Sequence, residues 1–132
     1  MGKILSLAIA LLVALVATGC SSSSAIGEKV DPASFLSAAS QPGVVILDVR
    51  SPEEYAQGHL PEAVNINVED PGFDTQVAAL DPGVTYVLYC RSGRRSAIAA
   101  QRMADAGFTS IIDLEGGLAE LAAAGATVVV GQ

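Results

Sequence analysis

Residues 84–106 read Val84-Thr85-Tyr86-Val87-Leu88-Tyr89-Cys90-Arg91-Ser92-Gly93-Arg94-Arg95-Ser96-Ala97-Ile98-Ala99-Ala100-Gln101-Arg102-Met103-Ala104-Asp105-Ala106. The apolar run from Val84 to Tyr89 has the character of a strand buried on both faces, as in a parallel sheet. From Ser96 to Ala106 the pattern turns helical: Ala97, Ile98, Ala100, Met103 and Ala104 fall largely on one face, and Gly107 supplies a left-handed C-terminal cap. A strand that hands over to a helix through Cys90-Arg91-Ser92-Gly93-Arg94-Arg95 places one thiol at the carboxyl end of a buried strand, where open α/β sheets hold their ligands.

The same alternation extends in both directions. Asp31 as N-cap and Pro32 as first helical residue open a helix through Phe35, Leu36 and Ala39, which Gln41-Pro42-Gly43 ends. A strand is expected over Val44 to Val49. Ser51, Pro52 and Glu54 then form a capping box for a short helix that stops near Gly58. Downstream, a strand is expected over Val64 to Val68, a helix over Phe73 to Leu80, a strand over Thr109 to Leu114, a turn at Gly116-Gly117 and a last helix over Leu118 to Ala124. Regular β-α alternation predicts a mostly parallel sheet with helices on both faces.

The chain has 132 residues, with 7 Lys+Arg against 14 Asp+Glu and 51% apolar residues. That length bounds it to one domain, and that much apolar side chain is too much for a disordered chain. A net charge of −7 with no basic tail argues against nucleic acid as a partner, because duplex affinity comes from cations on phosphates. Met1 to Cys20 reads as an export signal. Lys3 gives a positive start, and the apolar run Ile4 to Val16 is shorter than the ~20 residues a spanning helix needs. The segment ends in Ala17-Thr18-Gly19-Cys20 and is followed by the polar tract Ser21 to Ser24. It resembles a bacterial lipoprotein signal, which implies cleavage before Cys20 and a lipid on its thiol. Ala17 departs from the larger aliphatic residue usual in that position. The alternative is an ordinary secretory signal cut near Ala17 or Gly19, which leaves Cys20 a free thiol.

Residues 1–19 contain Lys3 and no acidic residue, so the remainder is more acidic still. Cys20 and Cys90 are the only cysteines, and a lipidated Cys20 leaves Cys90 as a lone thiol in an exported protein, an oxidation hazard that points to a chemical use. Arg91, Arg94 and Arg95 cluster beside it in an otherwise acidic domain. Together with loop amides and a helix N-terminus, they form a field that draws in a small anion and favours thiolate.

At these residues the chain resembles a single-domain rhodanese-like sulfurtransferase. Asp48-Val49-Arg50 with Glu54-Tyr55, Gly58-His59-Leu60, Ala63 and Asn65-Ile66 follow that family's first signature. Cys90 to Ser96 follows its C-x-x-G-x-R-S loop, and Gly107-Phe108 with Leu114-Glu115-Gly116-Gly117 follows its closing pattern. The family commonly has Trp soon after the Gly-Gly pair, but this chain has no Trp and reads Leu118-Ala119-Glu120-Leu121. The resemblance implies a rhodanese-like domain over residues 27–132 with a central, mostly parallel five-stranded sheet, preceded by a tether at 20–26. It implies that Cys90 carries sulfane sulfur as a persulfide, moved from a donor such as thiosulfate to a thiol or cyanide. Arg95 fixes the loop and binds the anionic donor, while Arg91, Ser92, Gly93, Arg94 and Ser96 line the substrate site. Asp48, Arg50, Glu54 and His59 are structural neighbours, with Arg50 expected to pair with Glu54. No metal or other cofactor is implied.

Cys90 to Arg95 is C-x4-R, one residue shorter than the C-x5-R loop of the phosphatases that share this fold, so little phosphatase activity is expected. With Cys20 lipidated there is no resolving thiol, so dithiol reduction is also not expected. A second reading makes the domain a module for partner binding or for sulfur or redox sensing through Cys90 at the cell envelope. In either reading the domain is expected outside the cytoplasm, lipid-anchored to a bacterial membrane. With Ser21 after the lipidated cysteine, that is the outer membrane where the cell has one, within reach of a protein partner.

Overall fold

The computed structural model describes residues 26–132. Cys20 and the signal and lipidation readings therefore lie outside the described residues. Five strands, β1 (Ile26–Val30), β2 (Val45–Asp48), β3 (Val64–Asn65), β4 (Tyr86–Tyr89) and β5 (Ile111–Leu114), form one sheet in the order β1-β5-β4-β2-β3. Every pairing is parallel. Four helices separate them and a fifth follows: α1 (Pro32–Ala39), α2 (Pro52–Gln57), α3 (Phe73–Ala78), α4 (Arg94–Asp105) and, after β5, α5 (Leu118–Ala123).

Local sequence accounts for most of these boundaries. Asp31 caps α1 by accepting from Ser34 N at 2.9 Å. Ser51 Oγ accepts from Glu54 N at 3.3 Å while Glu54 reaches back to Ser51 N at 3.2 Å, closing the capping box that starts α2. The buried residues of β2 and β4 point alternately into two cores. Leu47, Val49, Leu88 and Cys90 pack with Phe73, Val77, Ala99, Ala100 and Met103, so α3 and α4 cover one face. Val87 and Tyr89 pack with Phe35, Leu114 and Leu121, so α1 and α5 cover the other. Helices on both faces of an all-parallel sheet are the architecture the alternation predicted.

Some elements differ from the expectation. The stretch Ile26-Gly27-Glu28-Lys29-Val30, to which the sequence pattern gave no strand, is the edge strand β1. It is held by β5, whose partner at Lys29 is Asp113. The strand expected over Val64 to Val68 shortens to Val64–Asn65: beyond it the backbone meets the end of β2 only through Ile66 N to Asp48 O and Val68 N to Val49 O, while Asn65 Nδ2 donates to the carbonyls of Asp48 and Arg50 at 3.0 and 2.9 Å. The central helix begins at Arg94, so Arg94 and Arg95 belong to the first turn of α4. No helix among the described residues is long and apolar enough to cross a membrane.

Candidate active site

Strand β4 sits in the middle of the sheet, and directly after its last residue comes Cys90. Its side chain is 0% exposed. The loop then turns through Arg91 and Ser92, and Gly93 adopts a left-handed φ of 90° at the N-cap of α4. That turn aims Gly93 N–H at the sulfur, 3.0 Å from Cys90 Sγ. Ser96, one turn into α4 and buried, places its Oγ 3.5 Å from Sγ and 3.3 Å from Gly93 O. Burial alone pushes the Cys90 thiol upward. The Ser96 hydroxyl and the amides of Ser96, Ser92 and Gly93 outweigh that, and the net pKa is lowered from the 9.0 of an ordinary thiol. A thiolate in a cradle of amide donors is a nucleophile whose negative charge the backbone already accommodates.

The Gly-Gly pair forms the wall behind this loop. A Cβ on Gly117 would lie 1.7 Å from Arg91 O, so only glycine permits the approach. Leu118 N–H then donates to Cys90 O at 3.1 Å, fastening α5 to the strand end. On the other side, Arg95 makes a two-pronged pair with Glu54 of α2, Nη1 to Oε2 at 2.6 Å and Nη2 to Oε1 at 2.9 Å. This corrects the expected Arg50–Glu54 pairing. Arg50 folds back on Asp48, two residues earlier, through Nε at 2.9 Å and also donates to Gly58 O at 2.6 Å. Glu54 is held at the head of α2 by Ser51 and faces α4 instead.

Arg91, Ser92 and Arg94 are exposed, and neither Arg91 nor Arg94 enters an ion pair among the described residues. A cavity of about 510 Å³ adjoins the loop, lined by Arg50, Glu54, Gly58, Arg91 and Leu118 among others. It has the size of a small-molecule site. His59 is buried and stacks on Tyr55 at 3.6 Å between ring centroids, with Nδ1 2.7 Å from Tyr55 O. Its backbone pairs with Val129. These contacts hold the chain and do not reach the thiol.

Two features near the loop are not written in the local sequence. Gly117 stands there as a turn residue and as part of the closing family pattern, with no sign of its close approach to Arg91 O. Lys29 lies in the unread strand β1, and its ammonium is 2.7 Å from Asp113 Oδ2 and 3.4 Å from Gly93 O. The signal for it was Asp113 itself, since a carboxylate inside the run Ile111-Ile112-Asp113-Leu114 requires a cation when buried.

Comparison with known proteins gives this arrangement a context. The family model described as a rhodanese-like domain matches residues 31–124. Thiosulfate sulfurtransferase PspE of Escherichia coli is 34% identical over 76 residues, covering 58% of this chain and 72% of that protein. The Senescence-associated protein DIN1 of Raphanus sativus is 34% identical over 87 residues, and there the chain spans about half of the relative, 48%. A solution structure of a rhodanese-like domain from Anabaena sp. superposes with a TM-score of 0.70 at 26% identity, covering 77% of this chain and 78% of that one. With the model match spanning α1 to α5 and the cysteine loop at the end of the central strand, the chain belongs to the rhodanese-like domain family.

Proposed function

We propose that the protein is a sulfurtransferase that moves sulfane sulfur from a small anionic donor, with thiosulfate as the first candidate, to a thiol acceptor through a persulfide on Cys90. The observation that carries this reading is the cradle itself, Gly93 N–H on Sγ at 3.0 Å with Ser96 Oγ alongside. The Cys90 thiolate attacks the outer sulfur of thiosulfate. The S–S bond breaks, sulfite leaves with the electron pair, and the outer sulfur stays on Cys90 as a persulfide anion. An acceptor thiolate then attacks that outer sulfur, taking it away as a new persulfide and returning Cys90 to thiolate; cyanide in place of the thiol yields thiocyanate. Arg91 and Arg94 are the exposed cations that meet the donor's oxyanion end. Arg95, committed to Glu54, fixes the first turn of α4.

Lipidation of Cys20 and anchoring of the domain outside the cytoplasm to a bacterial membrane, the outer membrane where the cell has one, complete the reading, supported by the anatomy of residues 1–24 alone. Fractionation of cells carrying wild type and Cys20→Ser tests it: the wild type is expected with membranes and the variant in the soluble fraction, and equal partitioning overturns the anchor.

The chemistry is tested by intact mass of the full chain carrying Cys20→Ser, before and after thiosulfate. The expected result is a gain of one sulfur atom, removed by cyanide or a thiol and absent in Cys20→Ser/Cys90→Ser. No gain from thiosulfate or from a second sulfane donor overturns the reading.

A further inference from the structure

The least expected polar feature of the fold lies behind the loop, on the side away from Glu54. Asp113 is 1% exposed in β5, and its Oδ1 has no hydrogen-bond partner among the described residues. Its Oδ2 holds Lys29, which stands opposite it in the β1–β5 register. A buried carboxylate that meets a single half-exposed cation is a poor device for stability, because desolvation is only partly offset. The pair does one further thing: it sets the Lys29 ammonium against Gly93 O at 3.4 Å. Gly93 is the residue whose N–H lies on the sulfur, and its carbonyl also accepts from Ser96 Oγ at 3.3 Å. The backbone that makes the cradle is therefore held from behind by a cation, and from within by the serine whenever its hydroxyl is not donating to the thiolate.

We infer that Lys29 is a positioning residue for Cys90: held by Asp113, its ammonium fixes the Gly93 carbonyl at the junction of the loop and α4, and so keeps Gly93 N–H on the sulfur. The inference deepens the persulfide reading and rests on it for the reaction, although its first readout does not need sulfur transfer. Other charged groups surround the loop as neighbours of the thiol. Arg95 with Glu54 faces it from α4 and α2, Arg50 with Asp48 stands at the end of β2, Arg91 and Arg94 are exposed on the loop and α4, and Glu120 of α5 bonds Gly117 N. Lys29 is distinguished from these by its contact with the Gly93 carbonyl.

The test titrates the thiolate by its ultraviolet absorbance in the full chain with Cys20→Ser, using Cys20→Ser/Cys90→Ser as blank, and then follows sulfur loading from thiosulfate by mass. Lys29→Met is expected to raise the Cys90 midpoint by about half a pH unit or more and to slow loading about threefold or more. Lys29→Arg, which keeps the cation, is expected to restore both. Lys29→Met/Asp113→Asn removes the stranded carboxylate, so it folds even where Lys29→Met does not. A midpoint that stays raised in this double variant supports the inference. A midpoint that returns to wild type overturns it, because the effect then belonged to the bare charge of Asp113. An unchanged midpoint in folded Lys29→Met overturns it as well. If the Cys20→Ser chain shows a low midpoint yet gains no sulfur, the sulfurtransferase reading fails while the titration still decides the role of Lys29.

Discussion

Two arginine–carboxylate pairs flank the loop, and they are built from the same chemistry to different ends. Asp48 and Arg50 are two residues apart, with side chains 0% and 7% exposed, and they lock the end of β2 to Gly58. Glu54 and Arg95 are 41 residues apart, 26% and 20% exposed, and they tie α2 to the first turn of α4. The first pair is a local staple inside the core. The second is a long-range tether whose far end is two residues from the Gly93 cap. Proximity in sequence marks the pair that shapes the fold, and separation marks the pair that reaches the site.

The contrast breaks most directly at Asp48. Asp48→Ala leaves the Arg50 guanidinium buried without its partner, and a loss of about 3–5 kcal/mol in unfolding free energy is expected from urea titration. A loss comparable to that of a surface pair would mean that the two pairs are not different in kind. Gly117→Ala tests the wall between them and ranks next. The added methyl group meets Arg91 O, so the loop must move. A cost of about 1–3 kcal/mol is expected, with sulfur loading of Cys90 slowed by about tenfold or more.

Arg95→Gln sharpens the comparison from the other side. Its pair is partly solvated, so the expected stability loss is under about 1 kcal/mol. Loading of Cys90 should nonetheless slow by about tenfold, because the first turn of α4 is freed from α2. A variant that loses much stability and no rate would reverse the roles assigned to the two pairs. The persulfide assay and a urea titration on the same preparation separate these outcomes.

How much of this was legible beforehand depends on the range of the interaction. The capping box at Ser51 and Glu54, the cap of α1 at Asp31 and the strand-to-loop turn at Cys90 are encoded within a few residues, and the sequence reading placed all of them. Strand β1 was not legible. It carries Gly27, Glu28 and Lys29, lies at a sheet edge and pairs only with β5, so it needs no apolar alternation to be held. The partner of Glu54 was not legible either, because it lies 41 residues away. Arg50 is the arginine nearest in sequence, but the sequence carries no sign that it folds back on Asp48, or that α4 brings Arg95 to the head of α2. The helix start at Arg94 moved because Gly93, rather than a side-chain cap, ends the loop with a left-handed turn.

The smallest effect isolates the tether by acid. The two-pronged contact with Arg95 holds the Glu54 carboxyl down, from an ordinary 4.5 to about 2 in the folded protein, assisted by the Ser51 amide and opposed by burial. A carboxyl depressed on folding contributes stability that is fully present above 4.5 and drains away as pH falls toward about 2. Across that window the wild type should lose stability more steeply than Arg95→Gln, which keeps only the Ser51 contacts, and the two curves should converge at its lower end. The difference at neutral pH stays under about 1 kcal/mol because solvent reaches both side chains. Urea midpoints of the two proteins across the window decide it. Parallel curves would mean that Glu54 is held down by the Ser51 cap rather than by Arg95, which would make it a local helix-end residue like Asp31 and leave α4 without its tether.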